Sequence, residues 1–443
     1  MLTKNAKHLF RKAKDTGEFV MKQDDEEFSF IKEKIKDKPI NKKRMLIHLG
    51  YDILCAIIFG AVACLVFVCL KPRIEEWTQP KKNQEITIPK DEEPEEEAEK
   101  PEENTQQPQE PDTVYVQEEL GVEGYQNLQK ELYAIGKQAN KSVVTVTGVT
   151  SGTDWFNTPY ESQNQAAGII VANNGQELLI LTEKKVIADA QSITITFNGG
   201  ETVPATLKKY DGNTGIAIIG VPLNDISEDI MNRISVATLG NSLVLSQGTV
   251  VIAIGNPLGA NYSILCGTIT STQNKVTTID NNYTIFTTDM VGSENGSGVL
   301  VNLSGEIVGL VLKDYSNQGD RNTITALSVS ELKQIIEDLS NNKDIPYLGL
   351  RISTVTQDIS DKYSIPEGVY VKGIEMDSPA MAAGIQEADV IVKMNGEEIT
   401  SVEQYSQLLI GLNPGDEVKI TVKRQGAEDY VDLECSAAVG VLQ

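Results

Sequence analysis

Histidine is nearly absent from this sequence of 443 residues. It occurs only at His8 and His48, and none follows residue 48. Imidazole is the commonest metal ligand among side chains and a frequent general base near neutral pH. Its absence excludes a histidine-based metal site, and any catalytic step that needs an imidazole, from the rest of the chain.

Cysteine is scarce as well. Three of the five cysteines lie in one apolar stretch, which leaves only Cys266 and Cys435 in the remainder of the chain. Two cysteines so far apart in sequence form neither a disulfide framework nor a thiolate metal site. We therefore expect no metal ion and no cofactor.

Positive charge is in short supply outside the N-terminus. The chain has 39 Lys and Arg against 63 Asp and Glu, a net charge of −24, yet residues 1–46 carry 13 basic and 8 acidic side chains. The negative excess therefore lies in the large C-terminal part. A surface of that sign repels phosphate backbones, so we expect no binding of nucleic acid.

One apolar run follows the basic N-terminus. Residues 53–70 contain no charged side chain over 18 positions, and Lys42, Lys43 and Arg44 precede them. With a lead-in from residue 47, the run is long enough to cross a bilayer, and its basic flank favours a cytoplasmic N-terminus. We expect a cytoplasmic segment at 1–46, an uncleaved transmembrane helix at 47–70, and extracytoplasmic domains on a cell membrane.

The next segment, residues 71–118, is rich in Glu, Pro and Gln and has few aliphatic side chains. Such a composition cannot bury enough apolar surface to offset the entropy of folding, and like charges and prolines extend the chain. The sequence predicts an acidic linker here.

Two globular regions follow. Between residues 119 and 340, an amphipathic helix that begins near Tyr125 precedes many short runs of β-forming residues separated by Gly, Asn and Asp turns. This pattern predicts a mainly β domain built as a barrel or sandwich pair. Residues 345–437 alternate strand patterns with two short helical patterns, which predicts a smaller α+β domain.

Several motifs in these regions resemble the bacterial HtrA/DegP family, whose members are trypsin-like serine endopeptidases followed by PDZ domains. The segment 252–259, Ile-Ala-Ile-Gly-Asn-Pro-Leu-Gly, is similar to a signature of that family. Segments 181–190, 210–218 and 288–302 resemble those that carry the catalytic histidine, aspartate and serine. The resemblance implies a trypsin-like double β-barrel followed by a PDZ domain.

The resemblance fails at the three positions that carry the chemistry. Lys185 stands at the histidine position, Gly215 at the aspartate position and Gly296 at the serine position, and Glu294 replaces a glycine of the nucleophile loop. A triad needs a histidine to take the serine proton, and no register shift can supply one after residue 48. The sequence therefore predicts a pseudoprotease.

One alternative interpretation is an active enzyme that uses a Ser-Lys dyad. Ser297 lies one position past the nucleophile site, and a lysine such as Lys185 can serve as its base when burial lowers the lysine pKa. The charge of Glu294 disfavours such a Ser-Lys dyad, because an oxyanion hole must stabilise negative charge.

The smaller domain keeps its recognition motifs. By the resemblance, Tyr347-Leu348-Gly349-Leu350 forms the loop whose backbone N–H groups bind a peptide carboxylate. The strand that continues through Arg351 and Ile352 would pair with the peptide, and the helix with Tyr405 and Leu409 would form the other wall. A PDZ fold with a blocked groove stays open as the alternative.

Three functions are compatible with this sequence. We favour a membrane-anchored, inactive HtrA-like protein that binds peptides or protein C-termini through its PDZ domain, in quality control or signalling. The alternatives are an active endopeptidase that degrades misfolded extracytoplasmic proteins and an assembly scaffold that works through its cytoplasmic segment. Members of this family commonly form homotrimers, and the sequence leaves the oligomeric state open.

Overall fold

The computed structural model describes residues 51, 56–59, 84–92, 121–153, 159–293, 296–311 and 323–442. The chain divides into two compact units, Met1–Pro80 and Lys81–Gln443. In the first unit the described residues, 51 and 56–59, are helical. Every element below belongs to the second unit.

The predicted cytoplasmic segment and nearly all of the predicted transmembrane helix lie outside the described residues. Within the part of the chain that is described, no helix is both long enough and apolar enough to cross a membrane.

Helix α1, Val122–Ala139, opens the large domain. It covers the amphipathic helix expected from Tyr125 and extends it by one turn at its start. Leu132 and Gly136 are its buried residues. A Cβ atom at Gly136 would lie 2.7 Å from Cγ2 of Ile264, so the glycine allows the helix to approach a strand of the second barrel closely.

The first six strands close into a barrel in the order β1-β2-β3-β6-β5-β4. Its strands are β1 Val143–Thr153, β2 Pro159–Asn173, β3 Glu177–Glu183, β4 Ser192–Thr196, β5 Thr202–Tyr210 and β6 Ile216–Pro222. Two short helices lie between and after them: α2 Lys184–Ile187 and α3 Glu228–Met231. Alternate residues of each strand point inward, and Ile180 and Ile219 are among those that fill the barrel core, together with Phe197, which directly follows β4.

The next six strands close into a second barrel in the order β10-β11-β12-β9-β8-β7. These are β7 Val250–Asn256, β8 Ser263–Thr277, β9 Asn282–Val291, β10 Ser297–Val301, β11 Ile307–Val311 and β12 Thr323–Ser328. Phe286, Met290 and Leu300 belong to its core.

A third apolar cluster joins the two barrels. It combines residues from both, such as Ile169, Ile218, Ile254 and Val299, all at most 2% exposed. Helix α4, Val329–Ser340, contributes Leu332, Ile335, Ile336 and Leu339 to the same cluster. The expected mainly β architecture with a double β-barrel is confirmed, and each barrel has six strands.

The C-terminal domain is built on a sheet in the order β14-β15-β16-β18-β19, with β17 paired to β16. Its elements are β13 Pro346–Tyr347, β14 Leu350–Val355, α5 Gln357–Tyr363, β15 Gly368–Ile374, α6 Pro379–Ala382, β16 Val390–Met394, β17 Glu397–Glu398, α7 Val402–Ile410, β18 Glu417–Gln425, β19 Tyr430–Ala438 and β20 Gly440–Val441. Strand β14 lies at the sheet edge, and α7 packs beside it through the buried side chains of Val402, Tyr405 and Leu409.

Part of the predicted acidic linker contacts the domain. Residues 84–92 form neither helix nor strand, and Ile86 and Ile88 pack against the cluster that joins the barrels. Asp91 pairs with Lys333 of α4 at 2.7 Å, where the two side chains are 12% and 5% exposed. The two isoleucines and this ion pair hold the segment against the domain.

Candidate functional site

The segments that carry the triad positions meet at the junction of the two barrels. The backbone N–H of Lys184, next to Lys185, donates to the carbonyl of Gly215 at 2.8 Å. Thr182 donates through Oγ1 to the carbonyl of Ala167 at 3.4 Å. The N–H of Ala167 in turn donates to Oγ of Ser297 at 2.8 Å. The fold therefore brings the segments of the three predicted triad positions together at one junction, which we call the cleft.

Lys185 lies at the surface of this cleft. Its side chain is 52% exposed, and Nζ lies 2.7 Å from Oε2 of Glu183, a side chain that is 8% exposed. The lysine is placed by α2, which begins directly after β3. Its ammonium group is thus positioned by a neighbouring carboxylate.

Gly215 ends a tight turn that is organised by another acid. The carboxylate of Asp211 accepts hydrogen bonds from the N–H of Asn213, at 3.1 Å, and from the N–H and Oγ1 of Thr214, at 2.9 and 2.6 Å. Gly215 has φ +74°, in the left-handed region that favours glycine. Asp211 and Thr214 thus retain the turn that presents this position, while the position itself has no side chain.

Ser297 is buried, with 4% exposure, at the start of β10. Its hydroxyl oxygen accepts the N–H of Ala167 on β2, so a lone pair of the oxygen is directed at the first barrel. The side chain links two barrels and is not presented to solvent. This geometry matches a structural role for Ser297 better than that of a nucleophile.

The backbone at Gly296 leaves no room for a side chain. A Cβ atom built there would lie 2.4 Å from the carbonyl oxygen of Pro257, closer than real Cβ contacts allow. The same carbonyl accepts the N–H of Ser293 at 2.8 Å. Glu294, predicted to disfavour an oxyanion, lies outside the described residues.

The predicted peptide groove of the C-terminal domain lies between β14 and α7. Leu348, Leu350 and Ile352 are buried in the domain core. Arg351 is exposed and its Nε pairs with Glu375 at 2.7 Å. Tyr405 and Leu409 are buried on α7, so they are core residues of this wall.

A carboxylate from the second barrel occupies the predicted carboxylate-binding loop. Oδ2 of Asp280 accepts the N–H groups of Leu348 and Gly349, both at 2.8 Å. Oδ1 accepts the N–H of Leu350 at 3.0 Å and the hydroxyl of Tyr405 at 2.8 Å. Four donors thus surround one side chain that is 7% exposed.

This burial has electrostatic consequences. Burial raises the pKa of the Asp280 carboxyl group, and the hydrogen bonds from Gly349, Leu348, Tyr405 and Leu350 act against that shift. The pKa of Tyr405 is raised well above its usual value by burial and by the adjacent charge of Asp280. The tyrosine therefore stays a neutral hydrogen-bond donor to the carboxylate.

Sequence reasoning identified the loop but missed Asp280. The residue follows β8 in a turn whose sequence has no unusual feature. It lies 68 to 70 positions before the three residues whose N–H groups it binds. A sequence pattern carries no signal for such a distant contact. The only local signal in the sequence is the run Ile-Asp-Asn-Asn at 279–282, which predicts a turn.

No metal centre emerges from the residues that are described. Among them, no group of three or more His, Cys, Asp or Glu side chains could hold a metal ion.

Two family models match this chain. Residues 166–310 match a trypsin-like peptidase domain, and residues 346–435 match a PDZ domain. The expected resemblance to HtrA/DegP proteins with a trypsin-like and a PDZ domain is confirmed by these matches and by the relatives below.

The curated relatives include "Serine protease Do-like HtrB" of Bacillus subtilis, which is 32% identical over 285 residues. That match covers 59% of this chain and 59% of the Bacillus protein, so the similarity spans less than two thirds of its length. "Serine protease Do-like HtrA" of Lactococcus lactis subsp. cremoris is 26% identical over 321 residues, covering 68% of this chain and 77% of that protein.

Solved structures share the fold. The HtrA-type protease AlgW with a decapeptide superposes with a TM-score of 0.53 at 20% identity, covering 70% of this chain and 99% of that chain. The same protease with a tripeptide gives 0.52 at 22% identity, covering 70% and 97%.

The role of Ser297 as a link between the barrels can be tested by stability. We expect Ser297→Ala to lower the free energy of unfolding by about 1–3 kcal/mol, because the buried N–H of Ala167 then lacks its acceptor. The exposed Ser304, in the turn after β10, offers a matched control, and Ser304→Ala should change stability by less than about 0.5 kcal/mol. Denaturant unfolding of the two variants measures the difference, and equal effects would contradict the assignment.

Proposed function

Since the chain combines a trypsin-like peptidase domain with a PDZ domain in the manner of HtrA/DegP proteins, we propose that it is a membrane-anchored, proteolytically inactive HtrA-like protein. In this proposal its remaining activity is to bind extracytoplasmic peptides or protein C-termini through the PDZ domain, as a scaffold in quality control or signalling.

The vacant triad carries the first half of the proposal. No histidine follows residue 48, so no imidazole can serve as general base for a nucleophile in either barrel. The position of the nucleophile is Gly296, whose backbone lies against the carbonyl of Pro257. In this proposal the turns around the cleft remain, and the three catalytic side chains are absent.

The Ser-Lys dyad is the rival within the same cleft. The names of the relatives, serine proteases, favour an active enzyme. Against it, the hydroxyl oxygen of Ser297 is buried and receives the N–H of Ala167, and the ammonium group of Lys185 is paired with Glu183. A nucleophile must instead face the substrate, with its base within hydrogen-bond reach.

The peptide-binding half of the proposal rests on the PDZ loop. Three consecutive N–H groups, from Leu348 to Leu350, converge on one carboxylate in this protein, which supports carboxylate binding by this loop. The structures of AlgW with peptides are of relatives that share the fold.

Anchoring is proposed from the sequence alone. The uncharged run at 53–70 and the basic residues before it indicate one span with the N-terminus in the cytoplasm.

Proteolysis is tested with the purified full-length protein. We expect no hydrolysis of fluorescent casein and no labelling by a fluorophosphonate, for the wild type and for Ser297→Ala alike, since loss of a triad costs about 10⁴-fold or more in turnover. Trypsin in the same assay is the positive control. Casein cleavage by the wild type that Ser297→Ala abolishes would establish the dyad enzyme instead.

Carboxylate capture is tested with a fluorescein-labelled decapeptide that copies residues 271–280 with the change Asp280→Val. Its free-acid form offers a main-chain carboxylate to the loop, whereas its C-terminal amide does not. We expect the acid to bind the full-length protein at least about tenfold more tightly, because charge-assisted hydrogen bonds contribute about 1.5–3 kcal/mol. Fluorescence anisotropy measures both forms, and equal affinities would contradict carboxylate capture.

Membrane topology is tested in intact cells. Protease added outside should remove the two C-terminal domains and leave an N-terminal tag protected inside, because the tag lies behind the bilayer. Release of the full-length protein into the medium, or digestion of the tag, would contradict the proposed anchor.

A further inference from the structure

The contact between Asp280 and the PDZ loop has the chemistry of ligand binding. A peptide C-terminus would offer two carboxylate oxygens to the N–H groups of this loop, and the side chain of Asp280 already does so. Each of the three N–H groups has one hydrogen to donate, so the bonds to Oδ1 and Oδ2 use the donors of Leu348, Gly349 and Leu350.

The backbone next to Asp280 also imitates a bound peptide. The N–H of Asp280 donates to the carbonyl of Leu350 at 2.7 Å, and Ile279 forms an antiparallel bridge with Arg351. These contacts lie on the free edge of β14, where a peptide would add as an extra strand. Nδ2 of Asn282 extends the contact to the carbonyl of Ile352, at 3.3 Å.

The opposite wall of the groove takes part as well. Oγ of Ser406, on α7, donates to the carbonyl of Asp280 at 2.8 Å. Asp280 itself has φ +58°, a left-handed conformation that side-chain-bearing residues rarely adopt.

From these contacts we infer that the turn at residues 278–282 is an internal ligand of the PDZ domain, and that an external C-terminus must displace the Asp280 carboxylate to bind. This inference rests on the proposed peptide-binding function of the same groove. The partner it specifies is a chain with a free C-terminal carboxylate and an extended backbone before it, able to replace both the carboxylate and the β14 contacts.

The turn at residues 278–282 belongs to the same chain as the PDZ domain, and this raises its effective concentration at the groove. Asn213 holds the turn from the side of the first barrel, where its Oδ1 accepts the N–H of Ile279 at 3.0 Å and its Nδ2 donates to the same residue's carbonyl at 2.7 Å. A ligand held within one chain acts at an effective concentration of the order of millimolar. The apparent affinity for an external peptide equals the intrinsic affinity multiplied by the fraction of molecules in which the turn has left the groove.

The central experiment measures the decapeptide acid and amide on full-length wild type, Asp280→Asn and Asp289→Asn. Asn keeps the size of Asp but replaces one acceptor oxygen with a donor that faces N–H groups. We expect Asp280→Asn to bind the acid at least about tenfold more tightly than the wild type does, with the weaker binding of the amide changed much less. Asp289 is exposed at the far end of the same strand pair, so Asp289→Asn should match the wild type.

The outcomes separate the two proposals. Acid preferred over amide in the wild type, with no gain in Asp280→Asn, would preserve the peptide-binding function and overturn the internal ligand. Acid and amide bound equally by every variant would overturn both. A gain that Asp289→Asn shares would assign the effect to net charge and overturn the internal ligand as well.

A second variant avoids the groove in case Asp280→Asn fails to fold. Asn213→Ala removes both hydrogen bonds to Ile279 while the groove residues stay intact, so it should raise acid affinity by a smaller factor. Amide hydrogen exchange provides a binding-independent readout. The N–H groups of Leu348, Gly349 and Leu350 should exchange slowly in the wild type and faster in Asn213→Ala, and unchanged exchange together with unchanged affinity would overturn the inference.

Discussion

The third apolar cluster, which joins the two barrels and which we call the seam, is the contact on which the rest of the structure depends. Strands from both barrels contribute fully buried aliphatic side chains to it, and helix α4 adds a further row. Burial on this scale stabilises the arrangement because each aliphatic side chain removed from water contributes about 1.5–3 kcal/mol. The seam fixes where β2, β3, β6 and β10 meet, and so it fixes the cleft in which an HtrA-type enzyme would carry its triad. The cleft is therefore a consequence of packing.

Within that cleft, residues at or next to the predicted triad positions make structural contacts. The hydroxyl of Ser297 links β10 to β2 through the N–H of Ala167, which adds a polar contact to the apolar seam. Asp211 and Thr214 organise the turn before Gly215, a position that has no side chain. Gly296 lies against the carbonyl of Pro257 at a distance that excludes a side chain. Restoring serine at this position would thus require the loop to move, beyond the exchange of one residue.

The second organising contact joins the barrels to the PDZ domain, and it is polar where the seam is apolar. A buried carboxylate is tolerated only when donors surround it, and Asp280 meets that condition through three backbone N–H groups and the hydroxyl of Tyr405. The carboxylate-binding loop supplies the same donors that it would offer to a peptide. One set of hydrogen bonds therefore both positions the PDZ domain on the second barrel and competes with its ligands.

The sequence by itself indicated the double barrel and the PDZ domain, and it excludes a Ser-His-Asp triad in the chain after residue 48. Strand periodicity, turn residues and short motifs are local, and the absence of histidine after residue 48 needs no coordinates at all. Three features were decided only by the tertiary structure: the bond from Ala167 to Ser297, the contact of Asp91 with Lys333, and the placement of Asp280 in the PDZ loop. Each joins residues from 68 to 242 positions apart. Such pairs leave no periodic trace in the sequence, because they depend on how the domains pack and not on the residues around them.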